Sequence, residues 1–243
     1  MKYIFLLAYF FWSFSAHAAA LSNNGGAVIS CPNMAEPLVI DLYLAKEDAN
    51  FQMQFMEGEV FEKAFQSIAI LKKFRPELHS FFEENLKRTQ NTYVLTDEKI
   101  SSEFLTGTDN WPSSDVSQCE FIFVAQQNET LLKISRQWWE SASFENRLTL
   151  ILHELMYLYS LSHGLDTADS VYSMVKFLLD QNSLSTTQEQ FDELLAQIKW
   201  DGHFYSPLYY PLRADSVVQN NQGLVVSGVM AKDFQDTALR SSR

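Results

Sequence analysis

Residues 143–164 read SFENRLTLILHELMYLYSLSHG, and this stretch decides the fold. Ser143 is a favoured N-cap residue, Glu145 places a carboxylate in the first turn, and Gly164 stands where a helix ends. Between those marks Leu148, Leu150, Ile151, Leu152, Leu155, Met156, Leu158 and Leu161 fall on nearly every side of a helical period. A helix that is apolar almost all round is buried. The spacing therefore predicts a buried central helix over about 144–162, with the rest of the chain packed around it. At 100° per residue His153, Tyr157 and Ser160 lie within about 60° of one another, with Glu154 on the flank of the same stripe. The buried helix thus carries one polar edge, and that edge is the candidate site.

Strand patterns flank this helix on its N-terminal side. Phe121 to Ala125 and Thr130 to Ser135, joined by the polar turn Gln126 to Glu129, read as a hairpin. Asn128-Glu129-Thr130 matches a glycosylation sequon, which in a bacterial protein is only turn composition. Trp138 and Trp139 read as one core residue and one surface anchor, although such a pair also suits a sugar or peptide groove. Further upstream, Asn24-Gly25-Gly26 is a turn signal, Ala27 to Cys31 a short strand, and Pro37 opens a helical stretch from Leu38 to Lys46. Two amphipathic helices follow at Glu59 to Phe74 and Pro76 to Thr89, the first burying Val60, Phe61, Phe65, Ile68 and Leu71. Thr106 to Gln118 reads as a loop. Downstream, Leu184 to Trp200 forms a helix with Thr186 and Glu189 at capping-box spacing. His203 to Leu212 is an aromatic extended stretch that packs over the domain, and a hairpin centres on Asn220 to Gly223. The sum is an α+β fold: a single, mostly helical domain over residues 19–230, with a small sheet or hairpins on the central helix. Residues 231–243 read as a flexible tail.

The first eighteen residues read as a signal peptide. Lys2 supplies the positive end, Ile4 to Trp12 a short apolar run, and Ala16-His17-Ala18 small residues at both recognition positions, so cleavage is expected near Ala18. The expected address is the periplasm or the exterior. No later segment reaches the roughly 20 apolar residues of a membrane span, since His153 and Glu154 interrupt the best candidate. A formal charge of −12, from 18 basic against 30 acidic residues, disfavours nucleic acid and anionic lipid as partners. An envelope or extracellular protein or peptide fits better. Cys31 and Cys119 are the two cysteines of the chain, and in an oxidising compartment such a pair most simply forms one disulfide.

His153-Glu154 on a buried helix after a hairpin resembles the zincin metallopeptidases, whose HExxH motif uses two histidines one turn apart as zinc ligands and the glutamate to activate water. The resemblance implies zinc as cofactor, His153 as ligand, Glu154 as general base, and His163 at the third-ligand position of the longer motif. This chain departs from it at Tyr157, which replaces the second histidine, and at Ser160, which replaces the glycine where the chain turns back. A third ligand is then needed from Tyr157, Asp166, Asp169 or His203. A second resemblance spans more of the chain. Asn24-Gly25-Gly26 with Val28 and Cys31, Ile40-Asp41-Leu42-Tyr43, Cys119-Glu120, Asn146-Arg147 with Leu150-Ile151-Leu152-His153-Glu154 and Tyr157, and Gly164 with Asp169-Ser170 resemble a family of exported bacterial proteins whose activity is uncharacterised. That resemblance implies export, and it makes Tyr157 part of a unit with His153 and Glu154 rather than a replaced histidine. After Asp169-Ser170 the chain departs from the pattern, with Val171-Tyr172-Ser173 where arginines are expected. Two functional classes follow. One is a non-catalytic envelope protein, structural or binding, built around the stripe of His153, Glu154, Tyr157, Ser160 and Asp169; the other is a zincin-like hydrolase.

Overall fold

The computed structural model describes residues 26–54, 57–100, 118–127, 131–163, 168–200, 217–220 and 223–226. The expected leader and cleavage near Ala18, the sequon, Asp166, His203 to Leu212 and the expected tail over 231–243 lie outside the described residues. So does the side chain of Asp169.

The central helix is present as predicted. In chain order, β1 (Ala27–Ser30) and β2 (Leu38–Val39) lead into α1 (Ile40–Glu47). Then come α2 (Val60–Ile68), α3 (Leu71–Phe74) and α4 (Pro76–Thr92), which opens on Pro76 in its first turn. Three short strands follow β3 (Val94–Thr96): β4 (Glu120–Phe123), β5 (Ala125–Gln127) and β6 (Leu132–Ser135). The α5 helix (Arg136–Ser141) precedes the nineteen-residue α6 (Phe144–Ser162), followed by α7 (Ala168–Leu179), a 3-10 turn and α8 (Gln188–Gln197). Finally, β7 (Val217–Asn220) and β8 (Gly223–Val226) pair as the expected antiparallel hairpin.

The α6 helix touches α1, α2, α4 and α7. Leu148, Leu150, Ile151, Leu152, Leu155, Met156, Leu158 and Tyr159 are all buried. Each large aliphatic side chain so buried contributes roughly 1.5–3 kcal/mol, which makes α6 the member the other layers are built on. Asn146, fully buried in its first turn, fixes its start. Its Oδ1 accepts from the Val39 N–H at 2.8 Å, and its Nδ2 donates to the Pro37 carbonyl at 3.1 Å.

The strands arrange as β2-β1-β4 and β3-β6-β5, with β7-β8 separate. The expected hairpin is corrected in its partners. The β5 strand pairs antiparallel with β6, but β4 pairs along its whole length with β1, and β3 adds to β6 in parallel. The change of partner falls at Val124, where the N–H groups of Val124 and Ala125 both donate to the Gly26 carbonyl. Two N–H groups converging on one carbonyl interrupt the regular ladder, so the chain turns from one sheet into the other. Cys31 and Cys119 are bonded to each other across 88 residues, just beyond the paired ends Ser30 and Glu120. The bridge therefore closes the β1–β4 pairing. Two further expectations are revised, since Ala69 and Ile70 break the first amphipathic stretch into α2 and α3 and Leu38-Val39 is a strand before α1; residues 168–179, to which the sequence reading assigns no element, form a helix. The capping box of α8 uses Thr187 and Gln190, because Thr186 already ends the 3-10 turn.

Candidate functional site

Consecutive helical residues point about 100° apart, and that rotation sends His153 and Glu154 to different neighbours. His153 faces α1, where Asp41 occupies the second position of the helix with its side chain 6% exposed. Nδ1 of His153 lies 2.8 Å from Asp41 Oδ2, and the imidazole is 20% exposed. Tyr157, one turn on, lies parallel to the imidazole with ring centroids 6.3 Å apart. The Lys176–Asp48 ion pair holds α7 against the far end of α1.

Glu154 faces the sheets and is fully buried. Its Oε1 accepts the Gly26 N–H at 2.6 Å. With the Gln127 amide turned so that its nitrogen meets the acceptors, Nε2 donates to Glu154 Oε2 at 2.7 Å and to the Glu154 carbonyl at 2.8 Å. Both carboxylate oxygens are thus engaged, one by the residue preceding β1 and one by β5. Gly26 is the residue this contact requires. A Cβ there would stand 2.1 Å from Leu150 Cδ1 and 2.8 Å from Glu154 Oε1, so only glycine lets the backbone approach the helix this closely. Burial pushes the Glu154 carboxyl up to about 7. His153 and the Gly26 N–H pull in the opposite direction, and the negative charge of Asp41 adds to the rise.

The predicted stripe is therefore split. His153 and Tyr157 stay together, while Glu154 turns to the sheets. Ser160 is buried, and its Oγ finds no hydrogen-bond partner among the described residues. His163 is not brought to His153. Because α6 continues helical through Ser162, the ten residues between them are about 15 Å of axial rise, where a zincin chain would turn back. The His163 imidazole stacks on Tyr159 at 4.1 Å, contacts Phe81 of α4 at 5.9 Å, and has Nδ1 2.9 Å from the Tyr159 carbonyl. The expected ligand pair His153 and His163 is corrected accordingly, because the glycine that permits the turn is Ser160. Among the described residues no three His, Cys, Asp or Glu side chains gather as a metal would need.

Three residues of the site escaped the reading of the sequence. Asp41 carries the one signal that was available, an acid in the otherwise apolar run VIDLYLA before any polar face is established. Gly26 was legible as a turn residue but not as a contact, and Gln127 as part of a polar turn. Comparison of the chain with family models, curated proteins and solved structures finds no match, so the reading rests on this geometry.

Proposed function

We propose that the protein is an exported, non-catalytic protein of the bacterial envelope, structural or binding, in which the polar groups of α6 serve as internal ties. The observation that carries this reading is the complete burial of Glu154 between the Gly26 N–H and the Gln127 amide. A general base must reach a substrate or a water, and both oxygens of this carboxylate are engaged by groups on other elements. Buried polar groups satisfied in this way fix packing. Export is supported by the composition of residues 1–18 together with the Cys31–Cys119 disulfide, a bond that persists in oxidising compartments.

One observation favours a metal-dependent hydrolase instead. A carboxylate on one ring nitrogen of a histidine is the arrangement that orients ligating imidazoles, and Asp41 stands in that relation to His153. Elemental analysis of the purified protein separates the two readings. The structural reading expects zinc well below one equivalent and the same metal content in His153→Ala. One equivalent of zinc that is lost in His153→Ala overturns it.

A further inference from the structure

Arg147, in the first turns of α6, makes no ion pair among the described residues. Lys46, Lys87, Lys176, Arg75 and Arg136 each hold a carboxylate; among the described residues Arg147 holds none. Its guanidinium instead lies over the Trp139 ring, 5.8 Å from the centroid. Its Nε is buried without a hydrogen-bond acceptor among the described residues. Trp139 is backed by Trp138 at 6.4 Å and flanked by Tyr93 at 6.0 Å, and Tyr93 rests on Phe61 at 5.2 Å. Trp138 and Phe61 belong to the core, whereas Arg147, Trp139 and Tyr93 are partly exposed. The result is an aromatic platform anchored in the core and partly exposed at Trp139 and Tyr93, with a cation set against it. A half-desolvated guanidinium with an unsatisfied N–H is unfavourable by itself, and a chain with 30 acidic residues had many ways to pair it.

We propose that Arg147, Trp139 and Tyr93 form a binding site for a carboxylate carried on a flat ring. The planar guanidinium presents paired N–H groups that match the two oxygens of a carboxylate. The indole and phenol rings offer faces for a ring to stack on. The negative field of the chain selects among anions, since repulsion grows with ligand charge, so a carboxylate monoanion is favoured over a phosphate dianion. The site is separate from Glu154, which lies about 10 Å further along the helix axis, and the inference does not rest on the structural reading of that residue.

The test is a titration of the purified, 15N-labelled protein with benzoate, followed by the Trp139 indole N–H resonance, which Trp139→Phe identifies. The expected result is a saturable shift with a dissociation constant in roughly the millimolar range, weakened at least about tenfold in Arg147→Gln. Benzamide, which keeps the ring without the charge, and acetate, which keeps the charge without the ring, are each expected to bind at least about tenfold more weakly than benzoate. Arg147→Lys retains the charge but not the fork, and is expected to lose most of the affinity; it decides the matter if Arg147→Gln does not fold. Equal binding of benzamide and benzoate, full binding by either variant, or no saturable response to benzoate overturns the proposal. Tighter binding of phenyl phosphate than of benzoate overturns the assignment to carboxylates.

Discussion

Glu154→Gln removes the charge of the buried carboxyl while preserving its shape, and the consequence depends on pH with a definite sign. The Glu154 carboxyl is raised from 4.5 to about 7 in the folded protein. A group whose folded value is raised contributes stability that is fully present below the unfolded value, and that stability is lost as the pH rises through the folded value. The window is thus about pH 4.5 to 7. Two to three pKa units correspond to about 3 kcal/mol of wild-type stability lost across it. In Glu154→Gln the amide oxygen accepts the Gly26 N–H, and Gln127 turns to offer its own oxygen to the new NH2 group. That turn gives up the bond from Gln127 to the residue 154 carbonyl, a loss of about 1 kcal/mol. Urea unfolding of both proteins at pH 5 and pH 8 isolates the effect, because the titrations they share cancel in the difference. Between pH 5 and pH 8 the variant should gain about 2–3 kcal/mol of stability relative to the wild type. A difference in stability that is the same at both pH values refutes the assignment of a buried, elevated carboxyl. Glu154→Leu is the complementary change. It leaves the Gly26 N–H and the Gln127 amide without partners at about 1–3 kcal/mol each, so it should be destabilising at both pH values.

Two more predictions follow from the same contacts. Gly26→Ala drives a methyl group into Leu150 and Glu154 Oε1, and overpacking of this kind costs typically about 1–3 kcal/mol. Calorimetry should register a Tm lower by several degrees, and an unchanged Tm would show that the Gly26 backbone does not sit against α6. The Cys31–Cys119 bridge closes a loop of 88 residues, for which the chain-entropy model gives about 4–5 kcal/mol. Cys31→Ser with Cys119→Ser should lose stability on that scale in urea, whereas two thiols free to react with iodoacetamide in protein purified without reductant would contradict the pairing.

The fold was legible where one periodicity ran long. Over residues 144–162 the apolar side chains fix both the helix and its burial, and Ser143 marks its start. Legibility failed where pairing is set by distant partners. In residues 120–127 a single strand pattern serves two sheets, and the change of partner at Val124 depends on Gly26, nearly a hundred residues earlier. Residues 168–179 carry no assigned element in the sequence reading, although Val171, Met174, Val175, Leu178 and Leu179 form a helical stripe that is buried against the core. The acids at the front of that stretch hid the period behind them.

The candidate site was legible as residues but not as relations, and the reason lies in helix geometry. His153 and Glu154 are adjacent in the sequence, and an HExxH motif makes adjacency meaningful because the second histidine one turn on brings the zinc, and with it the water, to the glutamate. Here Tyr157 occupies that turn, with its ring parallel to the imidazole. No ligand at that position draws a metal over Glu154, and the 100° between neighbouring residues carries the carboxylate away to the sheets. What receives it is equally specific: a glycine without a Cβ, a backbone N–H at 2.6 Å, and an amide from β5. In such a place burial penalises the charged carboxylate while the N–H groups that its oxygens accept favour it, and burial is the larger effect. The site therefore joins the first strand, the fifth strand and the central helix through a group whose protonation near neutrality sets how firmly they are held.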